Sequence, residues 1–219
     1  MFEIFSAATL SRLFDGLWLT LFITLVSMAV SLACGFALGF AAWAGSAPVR
    51  AVLRICLEFV RVMPLIVWLF VMYFGFSRWF GLNLSNVGAT IIVFSIWGSF
   101  EMMELVRAAL SSIPLHQTQA ALALSLSRAQ IFVFVVAPQA LLRLIPATMN
   151  LFTRLLKSTP FAFLIGVVEL LKVGQQIIEL HRYDVYAPIL VYGVIFWLYF
   201  LLCYPVSLYS KRLERKWKI

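Results

Sequence analysis

The chain has 219 residues, 63% of them hydrophobic and only 12% charged, with a formal net charge of +8. A mean hydropathy of +1.00 lies far outside the range of soluble domains, so the chain reads as an integral membrane protein whose short connections leave no room for a separate globular core. In that setting the basic excess reads as cytoplasmic loops facing anionic lipid, not as a nucleic-acid surface.

A hydrocarbon layer about 30 Å thick takes roughly 20 apolar residues of helix. The N-terminal "MFEIFSAATLSRLFDG" lacks the basic start and short apolar core of a cleavable signal, so the first span, residues 16–43, is expected to persist. The turn "AGSAPVR" follows, punctuated by Gly45, Ser46 and Pro48. A second stretch, 51–80, contains Arg54, Glu58, Arg61 and Pro64; it opens as an amphipathic entry and continues as the span "LIVWLFVMYFGF". After the loop "SRWFGLNLSN", a third span at 87–110 carries Glu101, Glu104 and Arg107 towards its end.

A polar, Ala-rich patch then interrupts the apolar chain: "QAALALSLSRAQIFVFVVAP", Gln119 to Pro138. The fourth apolar region, 129–171, holds Pro138, Pro146, Lys157 and Pro160 and is expected to be kinked or broken in two. A fifth span, 185–209, closes into the tail "SKRLERKWKI". The expected fold is all-α: one polytopic membrane domain over residues 1–219, with about five transmembrane helices and no internal repeat.

Basic residues set the orientation. With the N-terminus outside, the inner face receives Arg50, Arg54, Arg107, Arg128, Arg143, Lys211, Arg212, Arg215, Lys216 and Lys218, and the outer face only Arg12, Arg78, Lys172 and Arg182. The loop at about 111–138 is then cytoplasmic. Within it Ser127 and Gln130 have capping-box spacing, so a helix is expected to start at Arg128, leaving a separate short helix before it. Ala120, Ala121 and Leu124 lie together at helical spacing there, and the small alanines permit close approach of another surface. Spacing alone equally allows a plain connector.

Several ordered segments carry a resemblance. Gln119-Ala120-Ala121, then Ser125, then "VVAP" is similar to the Glu-Ala-Ala, Gly, Ile-x-Leu-Pro loop of ABC importer permease subunits. "ELVRAALSSIP", "PQALLRLIPATMN", "LLKSTPF" and "RVMPLIVWLFVMYFG" resemble segments of the polar amino-acid branch of that family, the histidine, glutamine and glutamate type. The resemblance implies a non-catalytic permease subunit of the bacterial inner membrane that pairs with a second permease chain, identical or paralogous. It also implies two copies of a cytoplasmic ATPase, seated on Gln119, Ala120, Ala121, Leu124 and Ser125, and an extracytoplasmic binding protein that delivers a polar amino acid. No G-x-x-x-x-G-K-[ST] loop occurs in the chain, so ATP and Mg belong to the partner and no cofactor is expected here. Two positions depart from the family pattern. Gln119 replaces a glutamate and loses a charge, and Ser125 replaces a glycine that supplies a permissive backbone turn.

Ionisable groups inside spans are functional candidates. Glu101, Glu104 and Arg107 recur every three residues. Glu104 and Arg107 read as an internal ion pair; Glu101 has no obvious partner in its own helix and is a candidate to complement the ammonium or cationic side chain of an amino acid. Asn150, Arg154 and Lys157 also recur at helical spacing, suited to a substrate carboxylate, with snorkelling or an ion pair to Glu101 or Glu169 as the structural alternative. Arg61 reads as a lipid-phosphate contact or an anchor of the second span. Cys34, Cys56, Cys203 and the methionines read as packing, and the single histidines His116 and His181 are assigned no chemistry. A stand-alone ion-coupled amino-acid carrier is the competing reading, disfavoured by the small number of spans and the lack of repeats. A membrane enzyme lacks its catalytic groups.

Overall fold

The computed structural model describes residues 4–81 and 83–217, all helices and connections with no strand among them; Lys218 of the basic tail and Leu82 of the loop after the second stretch lie outside the described residues. Helix α1 runs from Ala7 to Ala44, starting well before the expected span. The signal for that earlier start is Ser6, whose hydroxyl accepts the N–H of Thr9 at 3.3 Å, and at 1.5 Å per residue the 38-residue helix is about 57 Å long. Gly45 and Ser46 break the chain as expected, but Pro48 falls inside the first turn of α2 (Ala47–Val62), where its missing N–H costs nothing.

At Met63 and Pro64 the chain bends by 95°, because proline drives the residue before it out of the helical region. Beyond the bend lie α3 (Leu65–Phe70), a π turn (Val71–Gly75) and α4 (Phe76–Phe80), which Gly81 ends in a left-handed conformation. Helix α2 and residues 65–75 are long and apolar enough to cross a membrane only when taken together. Helix α5 (Asn86–Ser111) matches its expected span within a residue at each end.

The fourth region is expected to be kinked or broken in two, and the break is not found between Arg128 and Ile165. From α7 (Arg128–Ile131) the chain passes through a π turn (Phe132–Val136) into α8 (Ala137–Ser158), with Pro146 inside an uninterrupted helix. The π turn takes up the clash that Pro138 would impose on the preceding turn, and the Gln139 side chain donates to the Val135 carbonyl at 2.9 Å. A 3₁₀ segment (Thr159–Ile165) with Pro160 in its first turn follows, ended by Gly166 at φ 88°. Helix α9 (Leu170–Leu180) has no counterpart in the expected elements, and α10 (Ala187–Trp217) absorbs most of the basic tail.

The chain gathers into two compact units. One takes α1 up to Ala29, residues 63–96 and residues 152–205. Its core joins Leu13 of α1 to Leu170, Val173 and Ile177 of α9 and to Val191 and Ile195 of α10. Beside it is a buried polar node. Thr20 donates to the Gly16 carbonyl at 2.9 Å and accepts the Leu170 N–H at 3.2 Å. Glu169 caps α9 by accepting the N–H groups of Leu171 and Lys172 at 3.0 and 2.9 Å. The other unit takes Val30–Val62, Trp97–Leu151 and the chain from Val206. There α1 and α5 approach closely: a Cβ on Gly35 would lie 3.0 Å from the Ser99 carbonyl oxygen, and one on Gly39 2.9 Å from that of Met103.

Candidate functional site

The loop after α5 is an ordered element. Helix α6 (Leu115–Ala123) follows Pro114 and closes with two bonds, Ser125 N–H to the Leu122 carbonyl at 2.9 Å and Leu126 N–H to the Ala121 carbonyl at 3.3 Å. This is the Schellman pattern, and it requires the left-handed conformation that Ser125 adopts at φ 59°. The capping box is present as expected: the Gln130 N–H donates to the Ser127 hydroxyl at 3.3 Å, and the Ser127 N–H to the Gln130 side chain at 2.8 Å. Two α8 side chains brace the element. Gln139 donates to the Gln117 side-chain oxygen, and the Arg143 guanidinium donates to both the carbonyl and the hydroxyl of Ser112, each at 2.8 Å. These braces were missed in the sequence because nothing in the spacing links positions 22 and 31 residues apart.

Of the residues assigned to partner contact, Gln119, Ala120, Leu124 and Ser125 are exposed, whereas Ala121 is buried. The expected ridge of Ala120, Ala121 and Leu124 on one surface is therefore corrected: Ala121 faces inward, and Leu124 follows the helix as its C-cap. Leu115 and Leu122, which the sequence did not single out, are exposed beside them.

The charged residues of α5 divide as their spacing indicated. Arg107 grips Glu104 through two bonds of 2.8 and 2.6 Å. Glu101 is buried, and its partner comes from another helix: the Arg61 Nε donates to it at 2.6 Å. The signal available in the sequence was an acid and a base each placed in apolar segments, where neither is stable alone. Arg61, Glu104 and Arg107 line a cavity of about 780 Å³ between the end of α1, α2 and the end of α5. On α8, Asn150, Arg154 and Lys157 share an exposed face, and Lys157 makes no salt bridge among the described residues. Outside the spans, burial pushes the Glu169 carboxyl above its ordinary range, against two backbone N–H groups and Tyr199 that favour its charge. No group of three or more His, Cys, Asp or Glu side chains able to hold a metal occurs among the described residues.

Residues 33–218 match the family described as binding-protein-dependent transport system inner membrane component. The probable glutamine ABC transporter permease protein GlnP of Bacillus subtilis (strain 168) is 31% identical over 212 residues, 96% of this chain and 95% of that protein. The glutamine transport system permease protein GlnP of Escherichia coli (strain K12) is 30% identical over 74% of this chain and 73% of that one. Among solved structures, that of an amino acid ABC transporter with histidines superposes with a TM-score of 0.82 at 25% identity, covering 92% of this chain and 94% of that one. The inward-facing MetNI methionine ABC transporter shares the fold, with a TM-score of 0.73 at 22% identity, covering 97% of this chain and 99% of that one. The apolar helices thus cross the bacterial cytoplasmic membrane several times in the type I importer arrangement. The chain belongs to the family of inner-membrane components of binding-protein-dependent transport systems, the permease subunits of ABC importers.

Proposed function

We propose that the chain forms, with a second permease chain, the pathway by which a polar amino acid handed over by an extracytoplasmic binding protein enters the cell, driven by ATP hydrolysis in two cytoplasmic ATPase subunits. The observation that carries the coupling part is the braced α6 element. A helix of nine residues with exposed Leu115 and Leu122, followed by exposed Leu124, braced by α8 at its N-terminal side through Gln117 and the preceding Ser112 and closed at its other end by the Ser125 turn, is built to receive force from a docked protein. Gln119, Ala120 and Ser125 are exposed as well, and Ala121 is buried beneath the helix. The N-terminus lies outside and the C-terminus inside, on the distribution of Lys and Arg. The names of the relatives, glutamine and other amino-acid permeases, support the substrate class.

Asn150, Arg154 and Lys157 give the pathway its polar wall. A cationic face on a spanning helix is costly against lipid and comfortable against water, so a second permease chain encloses it. There Lys157 and Arg154 meet a substrate carboxylate and Asn150 adds a hydrogen bond. Glu101 takes part only by releasing Arg61, which makes that pair a gate for the substrate ammonium, with Glu104 and Arg107 beyond it on the cavity wall.

The deciding experiment is reconstitution of the permease with its ATPase and binding protein in proteoliposomes, scanning amino acids. Uptake and ATPase activity stimulated together by one amino acid bear the proposal out. Uptake that follows an ion gradient with no ATPase attached overturns it in favour of a stand-alone carrier.

A further inference from the structure

The cavity between α1, α2 and α5 also carries cations that the proposed gate does not use. Six ionisable side chains line it: Arg50, Arg54, Glu58, Arg61, Glu104 and Arg107. Arg107 is taken by Glu104 and Arg61 by Glu101. Arg50 and Arg54 make no ion pair or hydrogen bond among the described residues, and they lie four apart on one face of α2, with Glu58 and the already paired Glu104 as the carboxylates of the same cavity. Two guanidinium groups facing a space of about 780 Å³ can present their planar forks to one tetrahedral anion.

The other side of α2 fixes the depth of this space. Val52, Ile55, Phe59 and Val62 are 57–75% exposed, and in a membrane that face belongs in hydrocarbon, which leaves the charged face at the polar boundary. The 95° bend after Val62 agrees, since it turns α2 away from the direction of the span that follows. Trp43, at the cavity wall, is of the type enriched at this level. On the inner face the anion met at this depth is a phosphate.

We propose that this cavity binds a phosphate group, with Arg50 and Arg54 as its direct ligands, supplied by the headgroup of an anionic phospholipid or by free phosphate. Arg50 and Arg54 are distinct from the gate residues proposed on the same cavity wall, and the site rests on the membrane depth and basic-inside orientation of α2, not on the identity of the substrate.

The test uses the intact permease–ATPase complex in nanodiscs of phosphatidylcholine with a minor fraction of phosphatidylglycerol. Wild type is compared with Arg50→Gln/Arg54→Gln, with the charge-keeping Arg50→Lys/Arg54→Lys, and with Lys211→Gln/Arg212→Gln, which removes two cations elsewhere. Phosphatidylglycerol retained through purification is quantified by mass spectrometry, and inorganic phosphate is titrated against thermal stability. The expected result is a loss of about fivefold or more in the glutamine pair, a smaller loss in the lysine pair, and a change within about twofold in the tail control. Retained phosphatidylglycerol that inorganic phosphate does not displace identifies the lipid; stabilisation by inorganic phosphate with displacement identifies the free anion. Equal retention and equal phosphate response in wild type and the glutamine pair overturn the proposal. So does a changed substrate ranking or a lost ATPase with phosphate binding intact, which assigns the arginines to substrate or to the ATPase. If the glutamine pair fails to fold, Arg54→Gln alone is read by the same measurements.

Discussion

Ser125 holds a left-handed backbone at φ 59°, a conformation that carries a cost of the order of 1 kcal/mol for a residue with a side chain and almost none for glycine. Ser125→Gly is therefore expected to raise the stability of the isolated permease by about 0.5–1 kcal/mol, and Ser125→Val to lower it by at least as much; a thermal melt in detergent checks both. The departure from the family glycine was legible in the sequence, and its consequence was a matter of backbone angle that the resemblance already pointed to. The Arg61–Glu101 pair was not legible as a pair, because a distance of 2.6 Å across 40 residues depends on how α2 and α5 pack. Replacing the acid by its amide leaves the partly exposed guanidinium without its paired negative charge. Glu101→Gln is expected to cost about 1–2 kcal/mol, discounted for the exposure of Arg61, and the exchanged pair Arg61→Glu/Glu101→Arg to recover part of it in the same melt. A Glu101→Gln protein that transports with unchanged apparent affinity and substrate ranking would limit this residue to a structural role.

Between elements, contact is set by the smallest side chains. Gly35 and Gly39 recur four apart on α1 where α5 passes, and any side chain there meets backbone oxygens that no rotamer change can move. Gly39→Ala is expected to cost about 1–3 kcal/mol by overpacking, measured as a lowered melting temperature, whereas alanine at Gly193, where a Cβ meets nothing within 4 Å, is expected to be tolerated. The π turn before α8 yields a different kind of prediction. Gln139→Leu removes both the donor to the Val135 carbonyl and the brace to Gln117. With α6 less firmly held, substrate-stimulated ATPase activity is expected to fall several-fold while the amount of ATPase that co-purifies changes little. The long apolar helices were legible because length and composition suffice for a span. Helix α9 was not, since its apolar residues Leu170, Val173 and Ile177 are explained only by the α1 and α10 side chains they pack against. Pro138, Pro146, Lys157 and Pro160 together pointed to a kink or a break because proline disrupts an ordinary α-helix; at Pro138 the wider π turn accommodates it.

At the scale of the whole permease, the exposed cationic face of α8 is the feature that the proposed second chain would enclose. Lys157→Met is expected to raise the substrate concentration for half-maximal uptake by about tenfold, the loss of one charge-assisted hydrogen bond, without reducing recovery of the assembled complex on gel filtration. Equal loss of assembly and uptake would instead make Lys157 an interface residue. Polarity at positions 150, 154 and 157 was visible in the sequence through helical spacing; its outward direction was not, because periodicity defines a face without saying what it looks at. The bend after α2 also bears on biosynthesis. Residues 47–75 qualify as a span only as a bent pair, and the carboxylate that neutralises Arg61 is made 40 residues later. When this segment leaves the ribosome it lacks the carboxylate that neutralises Arg61, so it is expected to rest at the membrane surface until α5 arrives with Glu101. Its final topology is then a product of the order of translation, settled by a residue not yet synthesised when the segment first meets the bilayer.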